Sequence, residues 1–140
     1  VSDNGNPGTS KGICPDGWHL ATEAEWQNLE IFLGMDASTV LTEGWRGDDE
    51  GGQIKATGTT HWLSPNTGAT DAYGFSALPG GRRNVDGGFQ DLGIEARFWT
   101  ATEGNTANAW YRGLANASSL IGRNNVPKFT GRSVRCIKDQ

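Results

Sequence analysis

Few side chains in this sequence have the type and setting for covalent or metal chemistry. Of 140 residues, two are cysteine and two are histidine. Cys14 and Cys136 stand near opposite ends of the chain. An even cysteine count in a Gly- and Asn-rich sequence reads best as a disulfide formed in an oxidising compartment, with two buried thiols as the alternative. His19 and His61 each lie beside a tryptophan, and too few further ligands accompany them for a zinc site. Asp48-Asp49-Glu50, between Gly47 and Gly51-Gly52, offers hard oxygen ligands on a flexible loop, which is calcium chemistry. The run lacks the alternating ligand order of an EF-hand, so a solvated acidic turn is favoured; Asp71 and Asp86 are the residues that would complete a site in space. Gly74-Phe75-Ser76-Ala77-Leu78 lacks the second glycine of a nucleophile elbow. No catalytic residue and no cofactor is therefore assigned.

Non-covalent recognition is better supplied. Trp45, Trp62 and Tyr73 fall in or near loops, where a flat ring can stack on the apolar face of a sugar. In Ala109-Trp110-Tyr111-Arg112-Gly113-Leu114, strand alternation places Trp110, Arg112 and Leu114 on one face and Tyr111 on the other. If the first set faces the core, Tyr111 is presented to solvent. The segments 103–108, 116–119 and 122–125 concentrate Asn, Ser and Arg, which bond adaptably at modest ordering cost, although turn formation explains many of the same asparagines. The candidate ligand-binding set is Trp62, Tyr73 and Tyr111 as stacking rings with Asn105, Arg112, Arg123 and Asn124 as polar partners. Trp18, Trp26 and Trp99 are expected to be packed.

The elements that must carry these residues are one helix and many short strands. Over 22–34, Thr22 and Glu25 form a capping box and Gly34 supplies a left-handed close. Trp26, Leu29, Phe32 and Leu33 make an apolar stripe, with Glu23, Glu25 and Gln27 facing water. Strands are expected at 61–63, 75–78, 98–101, 109–114 and 133–137, with loops over 42–52 and 82–93 and a short second helix near 37–41 or 52–56. One domain over 12–140 follows a flexible lead over 1–11, and the two cysteines imply that its ends meet. Glycine is abundant, at 21 residues, and six tryptophans compensate for a modest apolar content by each burying a large area.

The net charge of −4 argues against nucleic acid, which is bound chiefly through Lys and Arg. No apolar run approaches the length needed to cross a bilayer, so membrane insertion is not expected. No signal peptide is visible at Val1, and the chain is read as a mature or excised fragment.

The run Trp18-His19-Leu20-Ala21-Thr22-Glu23-Ala24-Glu25-Trp26 resembles the helix signature of the formylglycine-generating-enzyme superfamily, whose fold is related to C-type lectins. The wider frame is closer to the Fibrobacter succinogenes major paralogous domain. The blocks that carry this resemblance are Cys14-Pro15-Asp16-Gly17-Trp18-His19-Leu20, Gly74-Phe75-Ser76-Ala77-Leu78-Pro79-Gly80-Gly81-Arg82-Arg83, Phe98-Trp99-Thr100-Ala101-Thr102-Glu103, Ala109-Trp110-Tyr111-Arg112 and Ser133-Val134-Arg135-Cys136-Ile137-Lys138-Asp139. Ala21 replaces the usual proline before the helix, and Arg132 stands where phenylalanine is frequent. The resemblance implies an α+β, C-type-lectin-like fold with one N-terminal helix, short antiparallel strands, long glycine-rich loops and termini close together.

Formylglycine-type catalysis needs reactive cysteines in the C-terminal half, where only Cys136 lies, so that activity is not expected. The lectin calcium motifs are missing at Ser64-Pro65-Asn66 and Asn108-Ala109-Trp110, leaving calcium possible but not favoured. The expected function is a non-catalytic, secreted or cell-surface carbohydrate-binding module, a monomeric part of a larger chain. A protein-binding adhesion or display domain with a variable C-terminal loop surface is the alternative, and a structural spacer is a third reading.

Overall fold

Helix α1 (Glu23–Leu33) forms where the sequence carries its own start and stop signals. The Thr22 side chain accepts from the Glu25 amide, the Glu25 carboxylate accepts from the Thr22 amide at 2.8 Å, and Gly34 closes the helix at φ 117°. This is a computed structural model, and it describes residues 12–140; the lead expected over 1–11 lies outside the described residues. Glu23, Trp26, Glu30 and Leu33 point inward from α1. Two corrections follow for its faces. Glu23 does not face water, because two arginines come to meet it, and Phe32 is 64% exposed, lying edge-on to Tyr73 at 4.9 Å between ring centroids.

The main sheet is antiparallel and four-stranded, in the order β2 (Gly44–Arg46), β7 (Ile121–Pro127), β6 (Asn108–Ala115) and β5 (Glu95–Glu103). Strand β6 is covered on both faces. On one side Leu114 joins Trp26, Ile54, Trp62, Ala96 and Phe98; on the other, Ala109 and Tyr111 pack with Cys14, Leu20 and Trp99. Helix α2 (Glu50–Ile54) follows β2, and a two-rung hairpin, β3 (Arg82–Arg83) with β4 (Phe89–Gln90), occupies the interval expected to be loop. The short second helix expected near 37–41 or 52–56 corresponds to two elements, a 3-10 turn over Thr39–Leu41 and α2, which begins two residues earlier than the second interval. The expected strand at 61–63 is absent: Trp62 lies in a bend, its Nε1 donating to the Ala77 carbonyl at 2.9 Å. At 75–78 only Ala77 pairs, with Lys55.

The ends of the described chain meet. Strand β1 (Trp18–Leu20) pairs antiparallel with β8 (Cys136–Lys138), and Cys14 is bonded to Cys136 across a sequence separation of 122 with Cα atoms 5.8 Å apart. Trp18 lies at this exposed edge and is not packed, unlike Trp26 and Trp99. His19 is clamped here, with Nδ1 2.5 Å from Asp139 Oδ1 and Nε2 2.8 Å from Glu25 Oε1. The Asp139 bond above all, with Glu25 adding to it and burial opposing, raises the imidazole pKa above its ordinary value.

Two buried cationic clusters hold the layers together. Between α1 and the sheet, Arg112 Nε donates to Glu30 Oε1 at 2.6 Å and Nη1 pairs with Glu23. Arg46 takes the second Glu30 oxygen at 2.6 Å, and Arg123 takes the second Glu23 oxygen at 2.8 Å. Paired in this way, the charges avoid the large cost of an isolated buried ion. Lys55 is fully buried, and its three ammonium hydrogens match three carbonyls, of Thr67, Ala115 and Ser118, at 2.8 to 2.9 Å. Burial pushes its pKa down to about 8.

Candidate functional site

Antiparallel pairing places directly opposed residues on the same face of a sheet. One row across the main sheet is therefore Trp45, Gly122, Gly113 and Arg97, and the next is Asn124, Tyr111 and Trp99. The two glycines give the indole of Trp45 a flat seat. A Cβ built on Gly122 would lie 3.4 Å from the ring, and one built on Gly113 would lie 3.5 Å from it and 3.6 Å from the Tyr111 ring. Trp45 remains 46% exposed, so its opposite face looks to solvent.

Beyond Tyr111 the surface becomes cationic. Arg97 lies 5.5 Å from the Tyr111 ring centroid, and Arg132 lies 5.2 Å from it and 5.5 Å from that of Trp99. Arg132 is brought there because the 131–133 segment runs beside two strands. Gly131 exchanges backbone bonds with Arg83 at 2.9 and 3.0 Å, and Ser133 bridges Phe98 of β5. A cavity of about 260 Å³ opens between this segment and the β3–β4 hairpin, walled by Arg82, Arg83, Phe89, Arg132 and Ser133 with glycine backbone between them. Gly131 is required at that approach, since a Cβ there would come within 2.8 Å of Arg83 Cβ. Arg82 is paired with Asp91 at 2.9 Å and Arg97 with Glu95. Among the described residues, no carboxylate pairs with Arg83 or Arg132. Burial foremost, and then the neighbouring charges of Arg97 and Arg82, pushes the Arg132 pKa down to about 10. A second cavity of similar size, lined by Trp26, Leu29 and Phe75, is apolar.

Against this geometry the expected site residues separate. Trp62 is fully buried beneath Lys55, 5.3 Å from its ring, so it is a core residue and not a stacking surface. Arg112 is also fully buried and committed to Glu23 and Glu30. Tyr111 is buried under the guanidinium groups of Arg97 and Arg132, which corrects the expectation that it meets solvent. For Arg112 and Tyr111 the reason is that β6 is an inner strand with both faces covered, so alternation leaves neither side to water. Arg123 lies on the opposite face from Asn124, stacked on Trp110 at 3.9 Å and bonded to Glu23. Tyr73, 59% exposed, belongs with Phe32 on the helix side. Asn105 builds the β5–β6 turn, its Oδ1 accepting from the amides of Ala107 and Asn108. Of the expected set, Asn124 and the edge of Tyr111 share the face with Trp45.

The acidic turn is not arranged as a ligand cage. Glu50 is buried and accepts from the Asp48 amide at 2.6 Å, and Asp49 accepts from Gln53 at 2.7 Å. Asp71 is engaged by Ser76 and Asp86 by the Gly88 amide. Among the described residues, no group of three or more His, Cys, Asp or Glu side chains is placed to hold a metal ion.

Sequence reasoning missed the arginine group because Arg82, Arg83, Arg97 and Arg132 come from three separate segments. The available signal is Arg132 itself, a charge where an aromatic is frequent. No curated protein and no solved structure shows significant similarity to the chain. The model of the Fibrobacter succinogenes major domain matches residues 3–138, and the chain belongs to that family.

Proposed function

We propose that this domain is a non-catalytic carbohydrate-binding module with a C-type-lectin-like fold, acting in a secreted or cell-surface protein, and that it holds a glycan on the sheet face around Trp45. The observation that carries this reading is the indole seated on Gly113 and Gly122 with its other face open, in the row next to Asn124. A pyranose presents an apolar face to a flat ring and hydroxyls at its edge, and a tryptophan plane beside amide and guanidinium groups matches both. The paired first and last strands and the single long helix support the lectin-like fold. The disulfide, and the absence of any helix long and apolar enough to cross a membrane among the described residues, are compatible with an extracellular setting.

The test is retention on polysaccharide affinity gels and a glycan array, comparing the domain with Trp45→Ala. Binding of at least one polysaccharide that falls tenfold or more in the variant, measured at a temperature where both proteins are folded, is expected. No retention on any polysaccharide, or equal binding by the variant, would overturn the proposal.

A protein-binding adhesion surface is the second reading. It is favoured by the exposed Phe89 and Phe129, because aromatic rings open to water are typical anchors of protein interfaces.

A further inference from the structure

We propose that the arginine-lined cavity beside Trp45's sheet face receives the anionic group of an acidic polysaccharide, a carboxylate or a sulfate ester, with Arg132 and Arg83 as its principal contacts. This rests on the glycan reading and names the class of glycan.

The charge distribution points to an anion. The chain carries a net charge of −4, yet three arginines, Arg82, Arg83 and Arg132, line one cavity, and the carboxylates that pair beside it among the described residues are Asp91 and Glu95. Those two are already engaged by Arg82 and Arg97. Arg132 is the least compensated. Its Nε–H is buried without a hydrogen bond, its Nη1 reaches only the carbonyl of Gly131 at 2.8 Å, and two like charges, Arg97 and Arg82, stand nearby with the single carboxylate of Glu95. A guanidinium desolvated in this way is held at a disadvantage that a carboxylate or sulfate reaching its terminal nitrogens relieves. The rings of Trp99 and Tyr111 fix its position without neutralising it.

The cavity also has a shape for one charged group on a longer chain. At about 260 Å³ it is too small for several sugar units but large enough for a carboxylate or sulfate with part of its ring. Glycine backbone and the Ser133 hydroxyl supply further polar contacts at its wall. Gly113 lies between the Trp45 and Tyr111 rings, and Tyr111 lies under Arg132, so the Trp45 ring and the arginine group flank the same face of the sheet.

The experiment measures the affinity of the intact domain for polygalacturonate, its fully methyl-esterified form, a sulfated galactan and its desulfated form. Binding is read by calorimetry at low and high salt. At least one acidic polymer is expected to bind tenfold or more tightly than its neutral counterpart, with the difference shrinking at high salt. The two pairs separate carboxylate from sulfate. Arg132→Gln is expected to remove that preference, and Arg83→Gln, at an exposed position, to reduce it; the second variant decides the matter if the first does not fold. Trp45→Ala is expected to weaken acidic and neutral polymers alike.

Equal affinity for acidic and neutral members of both pairs, or an undiminished preference in the arginine variants, would overturn the anion inference and leave the glycan reading standing. Binding of polyglutamate as tight as that of the acidic polysaccharide would overturn it in favour of an acidic protein. No glycan binding of any kind would overturn both.

Discussion

Glu30 has no solvent exposure, yet each of its carboxylate oxygens receives a guanidinium, from Arg112 and from Arg46. Replacing one partner of such a group strands the others in a dry interior. Glu30→Gln is therefore expected to cost about 3 to 5 kcal/mol, measured as a fall in the urea midpoint. The sequence alone does not disclose this. Glu30 stands at helical spacing between Trp26 and Leu33, but its type reads as solvent-facing, and Glu23 and Arg112 are 89 residues apart. A charged residue becomes a core residue only when its counter-ion arrives, and that arrival is a property of the fold. The same blindness sent Arg112 to the ligand set. His19 is a different case, a partly buried imidazole held between Asp139 and Glu25. Its folded pKa is raised, so its contribution to stability is complete below the unfolded value of about 6.5. That contribution is lost as pH rises through the folded value. Melting temperatures measured from acid to mildly alkaline pH should show this loss, and His19→Ala should flatten it.

At the scale of elements, α1 was the most legible because its capping box, its closing glycine and the inward Trp26 and Leu33 all lie between Thr22 and Gly34. The aromatic runs at 98–101 and 109–114 likewise revealed the cores of β5 and β6. Strand β7 was not legible, since Gly122, Arg123, Asn124 and Asn125 read as loop; it is a strand because β2 and β6 pair with it on either side and Glu23 satisfies Arg123. The Trp45 seat depends on the distant pairing of β2 with β7, which sets Trp45 opposite Gly122, so the sequence could mark the ring but not its platform. Helix α2 shows a related conflict between local preference and packing. Alanine is favoured over glycine in a helix by about 1 kcal/mol. A Cβ on Gly51 would lie 2.2 Å from the Leu120 carbonyl oxygen, and one on Gly52 would lie 2.2 Å from that of Gly68. Gly52→Ala is accordingly expected to destabilise by about 2 kcal/mol or more, observed as a lower denaturation midpoint despite the better helix former.

For the whole molecule, the bond joins Cys14 to Cys136 across a sequence separation of 122 and fastens the β1–β8 pair. Chain-entropy arguments give such a closure about 5 kcal/mol. Reduction, or paired Cys→Ala replacement, should lower the denaturation midpoint by an amount of that order. The same closure governs how the domain answers to mechanical load. A pull applied through residues outside the 14–136 interval is borne chiefly from sulfur to sulfur, with the β1–β8 pair beside it, and leaves the main sheet and the face around Trp45 unloaded. Under a force probe the oxidised domain should act as an almost inextensible link. Once the bridge is reduced, the interval, a sequence separation of 122, can pay out roughly 400 Å at about 3.5 Å per residue, and a ligand held on the sheet would be released as it does.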